Sequence, residues 1–265
     1  MILYGKPVAE KIQQKLRKEI AQLKEKNIIP SLAVILIGDD PVSLSYVKNK
    51  EETAEKLGIN FRLYHLPSFS TETSLIALIE DLNQNKFING IIVQLPLPKG
   101  FNVEKIIKTI SSQKDVDGFS ERYPAPTAQA ILEMFKFYKI NLEDKKIVLI
   151  GHGRLVGKPL EKLLTKRGIQ PIVCDSKTKN LAEKTIGADV IISATGQPNL
   201  IRQDMISRES IIIDAGASEL QGKIRGDLNY ETYQKAKMYS PVPGGVGPVT
   251  IAMLMKNLLQ ATRET

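Results

Sequence analysis

The sequence is poor in the residues that build disulfides and metal centres. Its 265 residues include one cysteine, Cys174, two histidines, His65 and His152, and no tryptophan. A lone cysteine excludes an internal disulfide and a cysteine-rich zinc site, and two histidines are too few for a histidine-based metal centre. We therefore expect no bound metal. We interpret Cys174, which lies in an apolar run, as a packed side chain, and His65 as a surface histidine.

The sequence also lacks a long hydrophobic run. No apolar stretch reaches the roughly 18 residues that a membrane-spanning helix needs. The first residues, MILYGKPVAEKIQQ, do not show the basic and then apolar pattern of a signal peptide. We therefore expect a cytoplasmic protein that does not bind a membrane.

The net charge of +8 raises the possibility of nucleic-acid binding. The basic residues, however, alternate with glutamates in segments such as KIQQKLRKEIAQLKEK, which is typical of a solvated helix face. Aromatic residues make up only 6% of the chain, and none are interleaved with a basic strip. We expect no nucleic-acid partner, while a mild positive field favours an anionic small substrate or cofactor.

Apolar runs alternate with helical stretches in the first half of the chain. Residues 31–38, 61–67 and 88–98 are predicted strands, and Pro41–Leu57 and Thr71–Asn85 are predicted helices. Pro41 follows Asp40 and suits a first helical turn. Nearly continuous apolar strands separated by helices are typical of a parallel α/β sheet.

The second half repeats this alternation after a predicted helix at Ala128–Tyr138. Its predicted strands cover residues 145–150, 169–175, 188–196 and 210–216. The last segment, residues 248–259, has helical spacing and is expected to pack against the first half. The sequence predicts two α/β domains with a cleft between them. The first is predicted to cover residues 1–121, completed by a C-terminal helix at 248–265, and the second residues 122–247.

A glycine-rich turn, GHGRLVGKPL, follows the first strand of the second half. Gly151, Gly153 and Gly157 stand between a predicted strand and a predicted helix, which is the setting of a dinucleotide-binding turn. Such a turn lets a pyrophosphate approach backbone N–H groups at a helix N-terminus. Asp175 ends the next strand, 24 positions after Gly151, close to where a ribose ligand is expected. The alternative is a turn without a ligand, and Asp175 makes a Rossmann-type nucleotide-binding domain the better hypothesis.

Five motifs occur together in one order along the chain. They are YVKNK, GIIVQLPLP, KDVDGF, GHGRLVGKP and PVPGGVGPVTIAML. In this combination the chain resembles the bifunctional methylenetetrahydrofolate dehydrogenase/methenyltetrahydrofolate cyclohydrolase family along nearly its whole length. The resemblance implies oxidation of 5,10-methylenetetrahydrofolate with NAD(P), and then hydrolysis of the methenyl product to 10-formyltetrahydrofolate. It also implies a homodimer and a folate substrate that can be polyglutamylated.

The resemblance also assigns roles to individual residues. Lys50 matches the catalytic lysine, Gln94 the glutamine that contacts it, Asp117 the acid that holds the pterin, and Tyr46 the tyrosine that stacks on folate. The substrate-closing loop matches Pro243, Gly244 and Gly245. The cofactor-binding positions are Gly151, His152, Gly153, Arg154, Val156, Gly157, Asp175, Ser176, Thr195, Gly196 and Ala217.

The Tyr46–Lys50 pair makes chemical sense on a helix. Residues four apart share one face, so both side chains can point the same way. Free lysine has a pKa of about 10.4 and is a poor base near neutrality, but burial or a nearby developing cation favours its neutral form. Without Gln94 and Asp117, an exposed pair would be the simpler interpretation. We interpret the neighbouring Asp115 as structural.

The chain departs from the family in two places. The usual P-C-T-P-x-G motif after the D-V-D-G element is reduced to the residues 124–127, PAPT, in a shorter connection. The second departure is Asp175, which can accept a hydrogen bond from a ribose 2′-hydroxyl and repels a 2′-phosphate. We therefore expect NAD in preference to the family's usual NADP. Arg154, Ser176 and Lys177 argue against this preference, and so does the alternative in which Asp175 turns outward and caps the next turn.

Two other functions fit parts of the sequence. A shikimate-type dehydrogenase shares the two-domain plan and a catalytic lysine, but not the PVPGGVGP segment. A non-catalytic basic protein could use a nucleotide fold to bind nucleic acid. A tetrahydrofolate-dependent absorbance assay distinguishes both alternatives from the bifunctional enzyme.

Overall fold

The computed structural model of the chain describes residues 1–220 and 223–264. We name two units in it after one feature of each. The Lys50 unit comprises residues 11–126 and 251–265, and the glycine-turn unit comprises residues 1–10 and 127–250. In the described part of the chain, no helix is long and apolar enough to cross a membrane.

The Lys50 unit contains a three-stranded parallel sheet in the order β2-β1-β3. Its strands are β1 (Ser31–Ile37), β2 (Asn60–Leu66) and β3 (Gly90–Val93). Its helices are most of α1 (Gly5–Lys24), α2 (Pro41–Leu57), α3 (Glu72–Gln84), α4 (Val103–Thr109) and most of α9 (Val246–Glu264). The α/β class with a parallel sheet is thus confirmed for this unit.

The central strand β1 is buried along its whole length. Its side chains alternate between two apolar cores because successive strand residues point to opposite faces of a sheet. Leu32, Val34 and Leu36 pack in the core that includes α1 and α9, and Ala33, Ile35 and Ile37 pack in the core that includes α3. Burial on both faces explains why this strand is an unbroken apolar run.

Helix α2 begins and ends where the sequence predicts. The side chain of Asp40 accepts a hydrogen bond from the N–H of Ser43 at 2.7 Å, and Pro41 occupies the first turn. Gly58 ends the helix in the left-handed conformation, with φ of 72°, which glycine adopts without steric cost. These caps fix the register of the helix that carries Tyr46 and Lys50.

Strand β3 is shorter than the predicted strand at 88–98. It ends at Val93, although the N–H of Gln94 still donates to Ile35 O at 2.9 Å. Pro96 and Pro98 have no N–H to extend the ladder, and the Leu95–Pro96 peptide is cis. The apolar residues after Val93 therefore lie outside the strand, and the predicted strand end at residue 98 was wrong.

The glycine-turn unit contains a five-stranded parallel sheet among the described residues, in the order β10-β7-β6-β4-β5. The strands are β4 (Ile147–Ile150), β5 (Ile172–Cys174), β6 (Val190–Ser193), β7 (Ile211–Asp214) and β10 (Met238–Ser240). Its helices are most of α5 (Pro126–Phe137), α6 (Gly157–Thr165), α7 (Leu181–Thr185) and α8 (Tyr230–Lys235), with a 3₁₀ turn at Gln203–Met205. The four predicted strands are present.

Three strands of the glycine-turn unit were not predicted. They are β10 and the antiparallel pair β8 (Ser218–Leu220) and β9 (Lys223–Arg225). Each has three residues, which is too short to establish a period-two pattern. β10 joins the sheet because its backbone pairs with β7, and Ser240 supplies a buried hydroxyl that accepts the N–H of Asp214 at 2.9 Å.

The C-terminal helix α9 begins at Val246, two residues before the predicted start at 248. Leu254, Met255, Leu258 and Leu259 lie in the same core as β1. The buried side chain of Asn257 donates to Val116 O and Pro124 O, each at 2.9 Å. Because one amide donates to both carbonyls, α9 holds both ends of the 116–124 segment.

Candidate active site

Lys50 and Gln94 are joined by a short hydrogen bond in the Lys50 unit. The Nζ of Lys50, near the middle of α2, donates to Oε1 of Gln94 at 2.6 Å. Gln94 follows β3 directly and is only 8% exposed. Its Nε2 donates to Leu95 O at 2.6 Å, so both ends of the amide are engaged and its orientation is fixed.

Burial and one carboxylate act on Lys50 in opposite directions. Burial lowers the pKa of Lys50 below its ordinary value, and the negative charge of Asp117 partly opposes this shift. Burial raises the pKa of Asp117, which the charge of Lys50 lowers and the charge of Asp115 raises further. The two groups are therefore coupled, and the lysine is closer to its neutral form than an exposed lysine would be.

Tyr46 lies one turn before Lys50 on the same helix. Both side chains are partly buried, while Lys48 and Asn49 between them are exposed. Burial raises the pKa of the Tyr46 hydroxyl, so this group stays protonated near neutrality. The pair is thus not the exposed Tyr/Lys pair that the sequence also permitted, and the helix presents an aromatic ring and an amine together.

Asp115 closes the turn that carries Asp117. Asp115 is 1% exposed, and its Oδ2 accepts a hydrogen bond from the N–H of Ser120. Its Oδ1 is a buried oxygen without a hydrogen-bond partner among the described residues, and burial raises the pKa of this carboxyl. These contacts fit the structural interpretation of Asp115.

The shortened 118–125 segment is packed tightly on itself. Gly118 has φ of 79°, and a Cβ there would lie 2.6 Å from Tyr123 O and 2.9 Å from Ala125 N. The ring of Tyr123 is fully buried, and its hydroxyl donates to Gln113 O at 3.1 Å. The sequence did not point to Asn257 or Tyr123. Asn257 is a single polar position inside an apolar stretch, and Tyr123 lies in a short segment, SERYPAPT, without a periodic pattern.

The glycine turn joins β4 to α6, as predicted. Gly151 has φ of 94°, and its N–H donates to Cys174 O at 2.8 Å. A Cβ on Gly151 would lie 2.5 Å from Ala194 O, and a Cβ on Gly157 would overlap Gly151 O. A Cβ on Gly153 would meet nothing within 4 Å. Gly151 and Gly157 therefore allow close packing of the turn, whereas Gly153 lies on its open side.

The remaining predicted cofactor positions gather at one edge of the five-stranded sheet. The strands are parallel and neighbouring, so the segments after β4, β5, β6 and β7 lie at the same carboxyl edge. This edge carries Gly151 to Val156 after β4, Asp175 and Ser176 after β5, Thr195 and Gly196 after β6, and Ala217 after β7. His152 is also tied to α6, since its Nε2 lies 2.6 Å from Oε2 of Glu161.

Asp175 is exposed and caps the turn that follows it. Its Oδ1 accepts hydrogen bonds from the N–H of Lys177 at 2.9 Å and from Oγ1 of Thr178 at 3.3 Å. Both hydrogen bonds lower the pKa of the Asp175 carboxyl, and the bond from the N–H of Lys177 has the larger effect. The capping alternative is thus present in the structure, and it occupies one of the two carboxylate oxygens.

The loop with Pro243, Gly244 and Gly245 is attached to the beginning of the chain. The N–H of Gly5 donates to Gly244 O at 2.8 Å, and a Cβ on Gly5 would overlap Gly245 O. Pro243 and Gly244 are exposed, whereas Gly245 is buried. The loop is therefore anchored at Gly245, and Pro243 and Gly244 are exposed to solvent.

His65 and Cys174 lie as expected. Nε2 of His65 is 2.9 Å from Gly38 O and 3.2 Å from Oδ1 of Asp39, so this histidine is bonded to the loop before α2. Cys174 is buried and free. Within residues 1–220 and 223–264, no group of three His, Cys, Asp or Glu side chains could hold a metal ion.

These features define a two-domain α/β protein with a glycine turn of dinucleotide-binding type in one unit and a lysine–glutamine–aspartate cluster in the other. Residues 3–117 match the profile "Tetrahydrofolate dehydrogenase/cyclohydrolase, catalytic domain", and residues 125–265 match the "NAD(P)-binding domain" profile of the same family. The chain belongs to the tetrahydrofolate dehydrogenase/cyclohydrolase family.

Individual relatives match the chain from end to end. Bifunctional protein FolD of Thermodesulfovibrio yellowstonii is 44% identical over 275 residues, covering 99% of this chain and 96% of the relative. The crystal structure of the FolD dehydrogenase/cyclohydrolase from Campylobacter jejuni is 40% identical, with a TM-score of 0.93 and coverage of 100% and 99%. The Trypanosoma brucei FolD structure, complexed with NADP and inhibitor, is 30% identical, with a TM-score of 0.93 and coverage of 100% and 97%.

The full-length family match does not favour the shikimate-type dehydrogenase or the nucleic-acid-binding alternative. It confirms the resemblance stated from the five motifs. The matched NAD(P)-binding domain also confirms the expected class of cofactor.

We expect Asp117→Asn to lower the pKa of Lys50 further. The substitution removes the negative charge that opposes the effect of burial, so the ammonium form loses its stabilising neighbour. The amine of Lys50 should then become neutral at a lower pH than in the parent protein, as measured by NMR titration of this side chain. Asp39→Asn, at an exposed aspartate before α2, is the control and should leave the titration unchanged. An unchanged or raised Lys50 pKa in Asp117→Asn would contradict the coupling.

Proposed function

We propose that the chain oxidises 5,10-methylenetetrahydrofolate with NAD(P) and hydrolyses the methenyl product to 10-formyltetrahydrofolate. The observation that carries the proposal is the 2.6 Å hydrogen bond between Lys50 and Gln94, beside the charge of Asp117. It belongs to a chain whose two parts match the catalytic and NAD(P)-binding profiles of one family. We assign residues 1–121 with the helix at 248–265 to folate binding and catalysis, and residues 122–247 to the cofactor.

Lys50 is proposed to activate the water that hydrolyses the methenyl group. A neutral amine that donates one N–H to Gln94 keeps its lone pair for a proton. Water adds to the methenyl carbon and one of its protons passes to Lys50. The remaining hydroxyl then loses its proton to become the formyl C=O as the bond from that carbon to N5 breaks, N5 takes up one proton as it leaves, and the formyl group stays on N10. The positive charge of the methenyl substrate favours the neutral lysine at this stage. Gln94 holds the amine in place through the reaction.

Asp117 and Tyr46 are proposed to position the folate. A carboxylate can accept two hydrogen bonds from the amino-pyrimidine edge of a pterin, and Asp117 lies close enough to Lys50 to affect its pKa. The ring of Tyr46 offers a flat surface for the aminobenzoyl group. Pro243, Gly244 and Gly245 are proposed to contact the substrate. The chain carries more basic than acidic residues, 37 against 29, which suits polyglutamylated folates.

The carboxyl edge of the five-stranded sheet is proposed to bind the dinucleotide. A nicotinamide dinucleotide bound at this edge would supply the acceptor for the hydride of the methylene carbon. The glycine turn offers the N-terminus of α6 to the pyrophosphate, and Gly153 has open space in front of it. Thr195, Gly196 and Ala217, at the ends of the neighbouring strands, complete the proposed contacts.

We expect Lys50→Met to abolish cyclohydrolase activity while the protein stays folded. Methionine has a similar length but cannot take a proton, and general-base catalysis contributes about 100- to 10,000-fold. The loss of methenyltetrahydrofolate absorbance measures the rate, and circular dichroism measures the fold. Lys48→Met, at an exposed position of the same helix, is the matched control and should keep its activity. Wild-type turnover by Lys50→Met would show that another group activates the water.

We expect a preference for NAD over NADP that depends on Asp175. Its second carboxylate oxygen can accept a hydrogen bond from a ribose 2′-hydroxyl, and its charge repels a 2′-phosphate. Asp175→Ser keeps a side-chain oxygen that can cap the turn and should shift the ratio of kcat/KM toward NADP by about tenfold. Asp204→Ser, at another exposed aspartate, is the control. A strong NADP preference that is the same before and after Asp175→Ser would show that the carboxylate has no selective role.

We also propose that the chain forms a homodimer. Both parallel sheets end in an edge strand that exposes an aliphatic side chain, Leu63 on β2 and Ile172 on β5, and such edges readily pair with another chain. Sedimentation velocity should give about twice the 29.5 kDa mass of one chain. The variants Leu63→Glu and Ile172→Glu test the two edges separately. A monomer at micromolar concentration would contradict the proposal.

A further inference from the structure

Asp227 is a buried carboxylate that holds the loop after β6. It is 0% exposed. Its Oδ2 accepts hydrogen bonds from Oγ of Ser193 at 2.6 Å and from the N–H of Thr195 at 2.8 Å, and its Oδ1 accepts from the N–H of Gln197 at 2.8 Å. One side chain distant in sequence thus binds both sides of Gly196.

Asp214 performs the same task for the loop after β7. It is also 0% exposed. Its Oδ1 accepts hydrogen bonds from the N–H of Gly216 at 3.0 Å and from the N–H of Asp227 at 3.1 Å. Its Oδ2 accepts from the N–H of Leu228 at 3.1 Å and from the hydroxyl of Tyr233 at 2.6 Å. Because Asp214 binds the backbone of Asp227, the two carboxylates form one connected network.

Two glycines bring the backbone against these carboxylates. A Cβ on Gly216 would overlap the carboxylate of Asp227, and a Cβ on Gly226 would overlap that of Asp214. Gly151, in the glycine turn, packs against the same region, since its Cβ would lie 2.5 Å from Ala194 O and 3.0 Å from Cγ2 of Thr195. The network therefore underlies three neighbouring segments of the carboxyl edge.

We propose that Asp214 and Asp227 are positioning residues for the dinucleotide, which fix the loops 195–197 and 216–217 in the shape that the cofactor needs. The proposal rests on the proposed function, because it takes Thr195, Gly196 and Ala217 as cofactor contacts. Neither carboxylate touches the cofactor itself. Both act on the loops by accepting hydrogen bonds from backbone N–H groups. Without these hydrogen bonds, the peptide units of the loops would be free to rotate.

The cost of this network argues that it does more than fill space. Burial raises the pKa of Asp214 to about 6, and the charge of Asp227 contributes in the same direction, while the hydroxyl of Tyr233 opposes it. Burial and the charge of Asp214 raise the pKa of Tyr233. Two carboxylates in one buried network are unfavourable unless donors surround them, and three of these donors, the N–H groups of Thr195, Gln197 and Gly216, belong to the loops at the cofactor edge.

Asp227→Asn tests the proposal with a side chain of the same shape. The asparagine amide has only one acceptor oxygen, whereas both oxygens of Asp227 accept hydrogen bonds from the 195–197 loop. The NH₂ group of asparagine must therefore face the N–H of Thr195 or of Gln197, and this contact between two donors pushes that part of the loop away. We expect the KM for the dinucleotide to rise about tenfold while kcat of the dehydrogenase changes much less. Cyclohydrolase turnover, assayed without dinucleotide, should stay at the parent value, because Lys50 and Gln94 lie in the other unit.

Thr185→Val is the matched control for a general loss of stability. Thr185 is 0% exposed in the same unit, and its Oγ1 donates to Met205 O at 2.7 Å, so valine removes a buried hydrogen bond at nearly constant volume. This variant should lose stability without a change in the KM for the dinucleotide. If Asp227→Asn does not fold, Ser193→Ala takes its place: it removes one of the three donors, and we expect it to raise that KM about threefold.

The outcomes separate this inference from the proposed function. An unchanged dinucleotide KM in folded Asp227→Asn, or in Ser193→Ala if that variant is used, would overturn the positioning role while the parent enzyme remains a dehydrogenase. An equal rise in Thr185→Val would also overturn it, because loss of stability alone would then explain the effect. A parent protein that oxidises no methylenetetrahydrofolate with either dinucleotide would instead refute the proposed function.

Discussion

The hydrogen bond between Lys50 and Gln94 is the constraint on which the proposed chemistry of the Lys50 unit depends. A lysine amine can act as a base only in the fraction of molecules in which it is neutral. Burial of Lys50 on α2 lowers its pKa and so increases that fraction. An amide oxygen at 2.6 Å holds the amine without adding a charge. Asp117 works in the opposite direction and limits the shift. The balance between burial and one carboxylate therefore sets how readily Lys50 can take a proton.

Both units place proposed site residues just beyond the carboxyl ends of parallel strands. Gln94 follows β3, while Gly151, Asp175, Thr195 and Ala217 follow strands of the larger sheet. Ladder hydrogen bonds end at these positions, so backbone and side-chain groups become free to bind a ligand. In the glycine-turn unit, the buried carboxylates of Asp214 and Asp227 accept hydrogen bonds from the loops after β7 and β6. In both units a polar group at the site is held by another polar group that the substrate need not touch.

The parts of the structure that could be predicted from the sequence are those with local physical signals. The bounds of α2 follow from Asp40, Pro41 and Gly58, which act on adjacent residues, and the strand–turn–helix at Gly151 follows from glycine spacing. The predicted strand at 88–98 had the wrong end, because the apolar sequence continues past Val93 into a segment with prolines that is not part of the strand. Asp214, Asp227 and Asn257 were missed, because each acts through partners that are distant in sequence or lie on another element.

The most direct test of the account is a crystal structure of the chain with a folate analogue and NAD(P) bound. The account predicts that Nζ of Lys50 lies about 3 Å from the one-carbon position or from a water beside it. It also predicts the pterin edge at Asp117, an aromatic ring of the ligand on Tyr46, and the pyrophosphate at the glycine turn. A folate analogue that binds away from the Lys50–Gln94 pair would contradict the central claim.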